Sequence, residues 1–238
     1  MLPDLGRRAT DLLELMDDPD CDPALLDATY ARFATVNRLV SGWRGLYRSR
    51  IRPLLHPSRT TTILDVGFGG GDVAVAIAGW ARADHLPVQV VGIDPDERSV
   101  AFARRRYPDG PVAFRPAHSS DLVAAGEEAD IVLSNHVLHH LDPAGLSSLL
   151  ADSSRIARRL VLHSDLERNR LAYAVYGVAT RAGRRRSFLH VDGLRSIRRS
   201  YRQEELQRVV PNDWIVERSF PMRLLLSQTV SSEADGHR

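Results

Sequence analysis

"TTILDVGFGGGDVAVAIAGW", residues 61–80, decides the fold of this chain. Apolar and β-branched residues lead to Asp65, four glycines follow between Gly67 and Gly71, and helix formers take over from Asp72. The apolar run reads as a buried strand and the residues after it as a helix, so the glycines make the turn between them. A turn this bare lets a ligand lie against the backbone and meet the positive end of the helix dipole. The dinucleotide spacing GxGxxG fits poorly, because Asp72 occupies the third glycine's place and would repel a pyrophosphate. An acid followed by GxGxG fits instead: Asp65, then Gly67, Gly69 and Gly71. That arrangement suits a ligand with a cationic or zwitterionic amino-acid portion.

On the C-terminal side the same texture repeats. "VQVVGID" (88–94), "VAFRPA" (112–117), "ADIVLSN" (129–135) and "RLVLHSDL" (159–166) read as strands. Between the strands lie the helical stretches "VAVAIAGWARA", "PDERSVAFARRRY" and "PAGLSSLLADSSRIA". Strands alternating with helices imply an α/β fold with a doubly wound, mostly parallel sheet covered on both faces. The alternation stops after the fifth strand, where residues 166–200 read as an inserted helix and loop. A helix at "YRQEELQRVV" follows, then two strands, "DWIVERSF" and "MRLLLSQTV", which make an antiparallel hairpin at the sheet edge and bring the total to seven. On the N-terminal side, Asp27 to Leu55 reads as amphipathic helices broken near Gly42 and Gly45 and stopped at Pro53. The expected organisation is an N-terminal helical lid (1–60), a core (61–230) carrying the lid insertion 166–200, and a tail (231–238).

Composition narrows the function classes. A chain of 238 residues that is 43% hydrophobic can bury a full core, and one folded unit is expected. The single cysteine, Cys21, permits neither an intramolecular disulfide nor a CxxC pair, which fits a reducing cytoplasm. No stretch approaches the ~18–20 uninterrupted apolar residues of a membrane span. The formal net charge is +2 and every one of the 32 basic residues is arginine. The clusters Arg104–Arg106, Arg184–Arg186 and Arg195–Arg202 read as solvated faces, so a nucleic-acid partner is disfavoured.

"ILDVGFGGG" and the acid Asp94 that ends "VVGIDPD" resemble motifs I and II of the class I S-adenosylmethionine-dependent methyltransferases. The order of elements over about Thr61 to Val230, with its antiparallel last strand, is similar to that family too. The resemblance implies S-adenosyl-L-methionine as cofactor. It implies that the backbone of Gly67, Phe68 and Gly69, in the turn completed by Gly71, lies against the methionyl portion, with Asp65 near its ammonium or ordering the turn. Asp94 would accept the ribose hydroxyls, and Pro95 would sit beside the adenosine. His118 stands where many relatives carry the aspartate that meets adenine, with Ser119 within reach of the base; Asn135 closes the fourth strand at the same site. "SNHVLHHLD" lacks the (Asp/Asn)-Pro-Pro-aromatic signature of enzymes that methylate exocyclic amines.

The substrate side must come from what overhangs the carboxyl ends of the strands. His136, His139 and His140 lie there, spaced so that at least two share a face. No third metal ligand is identifiable and simple methyl transfer needs none, so no metal is expected. The insertion carries Tyr173 and Tyr176 one turn apart, then "FLHVDGLRSIRRSY" with His190, Asp192, Arg195 and Arg198. This DG..S.RR segment resembles the small-molecule methyltransferases of type III polyketide and phenolic-lipid pathways. Tyr173, Tyr176 and Arg195 are the implied substrate contacts, and Phe33, Trp43, Leu46 and Tyr47 would suit a ring or an alkyl chain as lid residues, or equally would pack against the sheet. The expected reaction is in-line methyl transfer to a hydroxyl of a small aromatic or polyketide-like molecule, with His139, His140 or His190 as general base. Carbon methylation of a quinol-like ring, nucleic-acid methylation, and cofactor binding without catalysis stay open, as does a homodimer.

Overall fold

Ile63, Leu64, Asp65 and Val66 leave the first strand on opposite faces in turn, and this alternation divides the core in two. Ile63, Ile131, Leu133, Leu160, Leu162 and Leu225 form one buried cluster; their neighbours Leu64, Val66, Val132, Val161, Leu224 and Leu226 form the other. The computed structural model describes residues 3–230, and the tail expected at 231–238 lies outside the described residues. The helices are α1 (Pro23–Val40), α2 (Trp43–Leu46), α3 (Asp72–Ala83), α4 (Glu97–Arg106), α5 (Ser119–Ala124), α6 (Pro143–Ile156), α7 (Arg170–Thr180), α8 (Leu189–Arg199) and α9 (Gln203–Val209). The strands are β1 (Thr61–Val66), β2 (Val88–Asp94), β3 (Val112–Pro116), β4 (Ala129–Asn135), β5 (Ala157–Leu166), β6 (Ile215–Ser219) and β7 (Arg223–Thr229).

The seven strands form one sheet in the order β3-β2-β1-β4-β5-β7-β6. β1 to β5 pair in parallel, and β7 runs antiparallel to both β5 and β6. The expected α/β, doubly wound architecture with an antiparallel last strand is therefore observed. α3 and α4 pack on one face with Trp43, Leu46, Tyr47 and Ile51; α5, α6 and α9 cover the other. The order reverses at β1, which lies between β2 and β4, and open α/β sheets bind ligands at the carboxyl side of such a switch point.

Two local expectations need correction. Gly42 does break the N-terminal helix, with φ +72°. Gly45 does not, because α2 carries on past it through a wide turn to Ile51; Pro53 then sits inside the tighter turn Arg52–Leu54. The insertion holds two helices, α7 and α8, rather than one helix and a loop. "PAHSSDL" folds into the short α5, where Asp121 accepts from the backbone N–H of His118 at 2.8 Å and closes the first turn.

Candidate active site

A cavity of about 410 Å³ opens at the carboxyl ends of β1, β2 and β4. Its floor is the glycine turn. Gly67 has φ +68°, and a Cβ there would come within 2.7 Å of Val137 Cγ2; Gly71 has φ +76°, and its Cβ would meet the Phe114 ring at 2.8 Å. Both positions therefore exclude other residues on conformation and on space. Ser99 Oγ holds the turn by donating to the Gly69 carbonyl at 2.9 Å.

Asp65, Asp72 and Asp94 line this end of the cavity, beside Asp96, whose charge is paired with Arg98. Asp94 accepts from the Gly69 N–H at 2.9 Å and the Asp96 N–H at 3.0 Å, so one side chain ties β2 to the turn. Asp72 accepts from Asn37 Nδ2 of α1 at 3.0 Å, and burial pushes its pKa up to about 6. Asp65 is the most exposed to penalty: it is 1% accessible, and neither oxygen has a hydrogen-bond partner among the described residues. Burial, then the charges of Asp72 and Asp94, raise its pKa well above the usual carboxylate range. An unpaired buried carboxylate costs several kcal/mol, so burial favours the neutral acid at Asp65. A cationic ligand removes the penalty; a phosphate meets three acids.

The other end is organised by α8 acting on the N-terminal segment. Asp192 accepts from the N–H groups of Leu15 and Met16 at 2.7 and 3.0 Å. Arg195 donates to the Leu13 carbonyl at 2.6 Å and Arg199 to that of Leu12 at 2.9 Å. Arg98, from α4, grips the far side through the carbonyls of Met16 and Asp18. This clamp presses Glu14 into the cavity, where Ser196 Oγ donates to its Oε1 at 2.6 Å. Arg199 also donates to the carbonyls of His139 and His140, which fixes the histidine turn to the same helix.

His139 stands between two acids. Its Nδ1 lies 2.7 Å from Asp165 Oδ1, and Asp165 Oδ2 accepts from the His139 backbone N–H at 2.8 Å. Its Nε2 lies 3.2 Å from Glu14 Oε1, an ionic contact whose angle falls outside hydrogen-bond geometry. Burial opposes the imidazolium charge, yet Asp165 and Glu14 together push the pKa up to about 9. His140 is partly exposed, with Nδ1 3.3 Å from Asp17 Oδ2 and Nε2 3.8 Å from Glu14 Oε1. His136 is kept neutral by burial and by Arg223, whose Nη1 lies 2.6 Å from its Nε2.

Of the residues singled out in the sequence, Asp65, Gly67, Phe68, Gly69, Asp94, Pro95, Asn135, His139, His140 and Tyr176 line this one cavity. Gly71 lies behind the lining, as the left-handed residue that starts α3. His118 and Ser119 lie outside the lining, where the Ser119 hydroxyl donates to Asp152 at 2.7 Å. Tyr173, His190 and Arg195 lie outside it as well; His190 Nδ1 is 2.7 Å from Thr180 Oγ1, and Arg195 serves the clamp. Phe33 faces the cavity, whereas Trp43, Leu46 and Tyr47 belong to the core, Trp43 donating to Asn135 Oδ1 at 3.0 Å. Sequence reasoning missed Glu14, Asp17, Asp72 and Asp165 as cavity or supporting groups. Asp165 alone carried a usable signal, since like Asp94 it is an acid near the carboxyl end of a strand.

Comparison with known proteins agrees with this geometry. Residues 63–159 match the model of the methyltransferase domain family. A ubiquinone biosynthesis O-methyltransferase of Rhizobium rhizogenes is 32% identical over 87 residues, 36% of this chain and 33% of that protein. One from Dinoroseobacter shibae is 32% identical over 123 residues, 50% of this chain and 47% of that protein. The chain thus spans a third to a half of the length of these curated relatives. The plantazolicin methyltransferase BpumL, solved with S-adenosylhomocysteine, superposes with a TM-score of 0.65 at 13% identity, covering 92% of this chain and 93% of that one. Magnesium protoporphyrin IX methyltransferase of Synechocystis PCC 6803 superposes with 0.51 at 15% identity over 91% of each chain. With the glycine turn, the strand-end acid and the 3-2-1-4-5-7-6 sheet, the match over residues 63–159 places a methyltransferase domain in this chain, and the superposed structures share its fold.

Proposed function

We propose that this chain transfers a methyl group from S-adenosylmethionine to a hydroxyl oxygen of a small molecule bearing a phenolic or polyketide-type ring. The observation that carries the reading is continuity. One cavity runs from the three carboxylates and the glycine turn, past the apolar side chains of Phe33, Val36, Val40, Leu141 and Leu189, to the cluster of Glu14, His139 and His140. The cofactor supplies a methyl group activated by a sulfonium. Asp65 fits its ammonium, because it is a buried carboxylate lacking a partner among the described residues. Asp94 has lone pairs left over from its two backbone bonds for ribose hydroxyls. The apolar wall excludes water and orients the acceptor, and orientation of this kind is worth up to about 7–11 kcal/mol.

An acceptor hydroxyl seated at the partly exposed edge formed by Glu14 and His140 releases its proton to solvent, and its oxygen bonds to the methyl carbon as the carbon–sulfur bond breaks. His139, among the three histidines considered, already holds a proton at neutral pH, and His190 lies outside the cavity lining. The naming of the curated relatives as O-methyltransferases supports oxygen as the acceptor atom. The test is to incubate the purified chain with methyl-labelled S-adenosylmethionine and a panel of catechols, resorcinols and quinols, and to locate the label in the products by NMR. Label on a phenolic oxygen is expected. Label on ring carbon, or cofactor binding with no transfer to any phenol, overturns the reading.

A further inference from the structure

We propose that Glu14, His139 and His140 form a binding site for a divalent metal ion of the zinc class, with its open position turned to the acceptor. The site stands on its geometry, and only the role of the open position rests on the proposed reaction. One donor atom from each residue lies within 4.8 Å of the other two. Glu14 Oε1 is 3.2 Å from His139 Nε2 and 3.8 Å from His140 Nε2. Metal bonds of ~2.0–2.1 Å at tetrahedral angles space ligands roughly 3.3 Å apart, so closure asks for shifts of a few tenths of an ångström on this edge of the site.

The surroundings are those of a ligand set. Metal-binding histidines commonly turn their second nitrogen to a carboxylate, which fixes the ring and raises its basicity. Both histidines do so here, His139 Nδ1 to Asp165 at 2.7 Å and His140 Nδ1 to Asp17 at 3.3 Å. His139 Nε2 is buried and has no aligned hydrogen bond among the described residues. His136, the third histidine of the run, is held by Arg223 and is no ligand. Two imidazoles, one carboxylate and an open position suit zinc, whereas magnesium prefers an all-oxygen shell. All three ligands line the cavity, so the fourth position faces it. An acceptor hydroxyl seated there releases its proton to solvent; its oxygen then bonds to the methyl carbon as the carbon–sulfur bond breaks, with no oxidant or reductant needed.

The test uses the full chain, freed of metal with a chelator and titrated with Zn²⁺ against a chromophoric competitor. One ion per chain is expected, with affinity at least about 100-fold weaker in Glu14→Gln and in His140→Ala and unchanged in His56→Ala, a surface control. The second variant matters because Glu14→Gln also touches the Ser196 contact that seats the N-terminal segment. Co²⁺ in the unmutated chain should give the strong visible absorption of a four-coordinate ion. Zn²⁺ affinity equal in the unmutated chain and both variants, or cobalt that stays six-coordinate, overturns the site. Methyl transfer by a chain that binds no Zn²⁺ removes the metal and leaves the reaction; Zn²⁺ binding without methyl transfer does the reverse.

Discussion

At the glycine-turn end of the cavity, burial pushes Asp65, Asp72 and Asp94 up in pKa. At the far end, Glu14 and Asp165 are buried as deeply, yet His139 and its neighbours hold both below the ordinary carboxylate values. The acids are alike; their partners differ. At the far end the chain supplies its own cation. At the glycine turn the surrounding donors are backbone and amide N–H groups, and full ionisation waits for a positively charged ligand. An unsatisfied group in a folded protein thus points to a ligand more directly than a satisfied one does.

Three substitutions break or sharpen this contrast. The largest effect belongs to Asp94→Ala, which removes the acceptor of two backbone bonds together with the sugar contact. S-adenosylmethionine affinity should fall by roughly 100-fold or more in calorimetry, while Glu14→Gln, at the other end, should leave that affinity within about 3-fold. Next comes Asp72→Asn. A carboxyl with its pKa raised to about 6 stabilises the fold fully below its usual value and loses that contribution as pH rises through about 6. Removing the charge should make the ligand-free variant more stable than the unmutated chain at pH 7, by at most about 3 kcal/mol, with no difference near pH 3. The loss tied to His139 falls in another window, beginning above its usual value of 6.5 and running through about 9, and should persist in the variant. Chemical denaturation across pH separates the two. The smallest effect is that of Ser196→Ala, which frees Glu14 Oε1 at a cost of about 1 kcal/mol and should raise KM for the acceptor without moving cofactor affinity.

The same contrast explains what could be read from the sequence. The cofactor end is built within one short stretch and one strand-end acid, and local rules cover it: Gly67 and Gly71 are bare because their backbone is left-handed and their neighbours are close. The sheet was legible for the same reason, since alternating apolar runs report their own burial. The far end is assembled from residues more than a hundred positions apart. Glu14 lies in "DLLELMDDPD", an acidic stretch that looks featureless until Asp192, Ser196 and Arg199 are found gripping it. The DG..S.RR segment suggested substrate contacts; its polar side chains turn out to hold the chain that carries Glu14. Trp43 and Tyr47 look the same in sequence whether they face a ligand or the core, and here the core claims them.

Burial favours the neutral acid at Asp65, and the carboxyl ionises when a cationic cofactor binds beside it. Calorimetric titration of S-adenosylmethionine near neutral pH, repeated in buffers of different ionisation enthalpy, counts the protons exchanged on binding. Net proton release is expected, shrinking sharply in Asp65→Asn, together with at least about 10-fold weaker binding. Binding without proton exchange, or an Asp65→Asn chain that binds as tightly and releases as many protons, would contradict it.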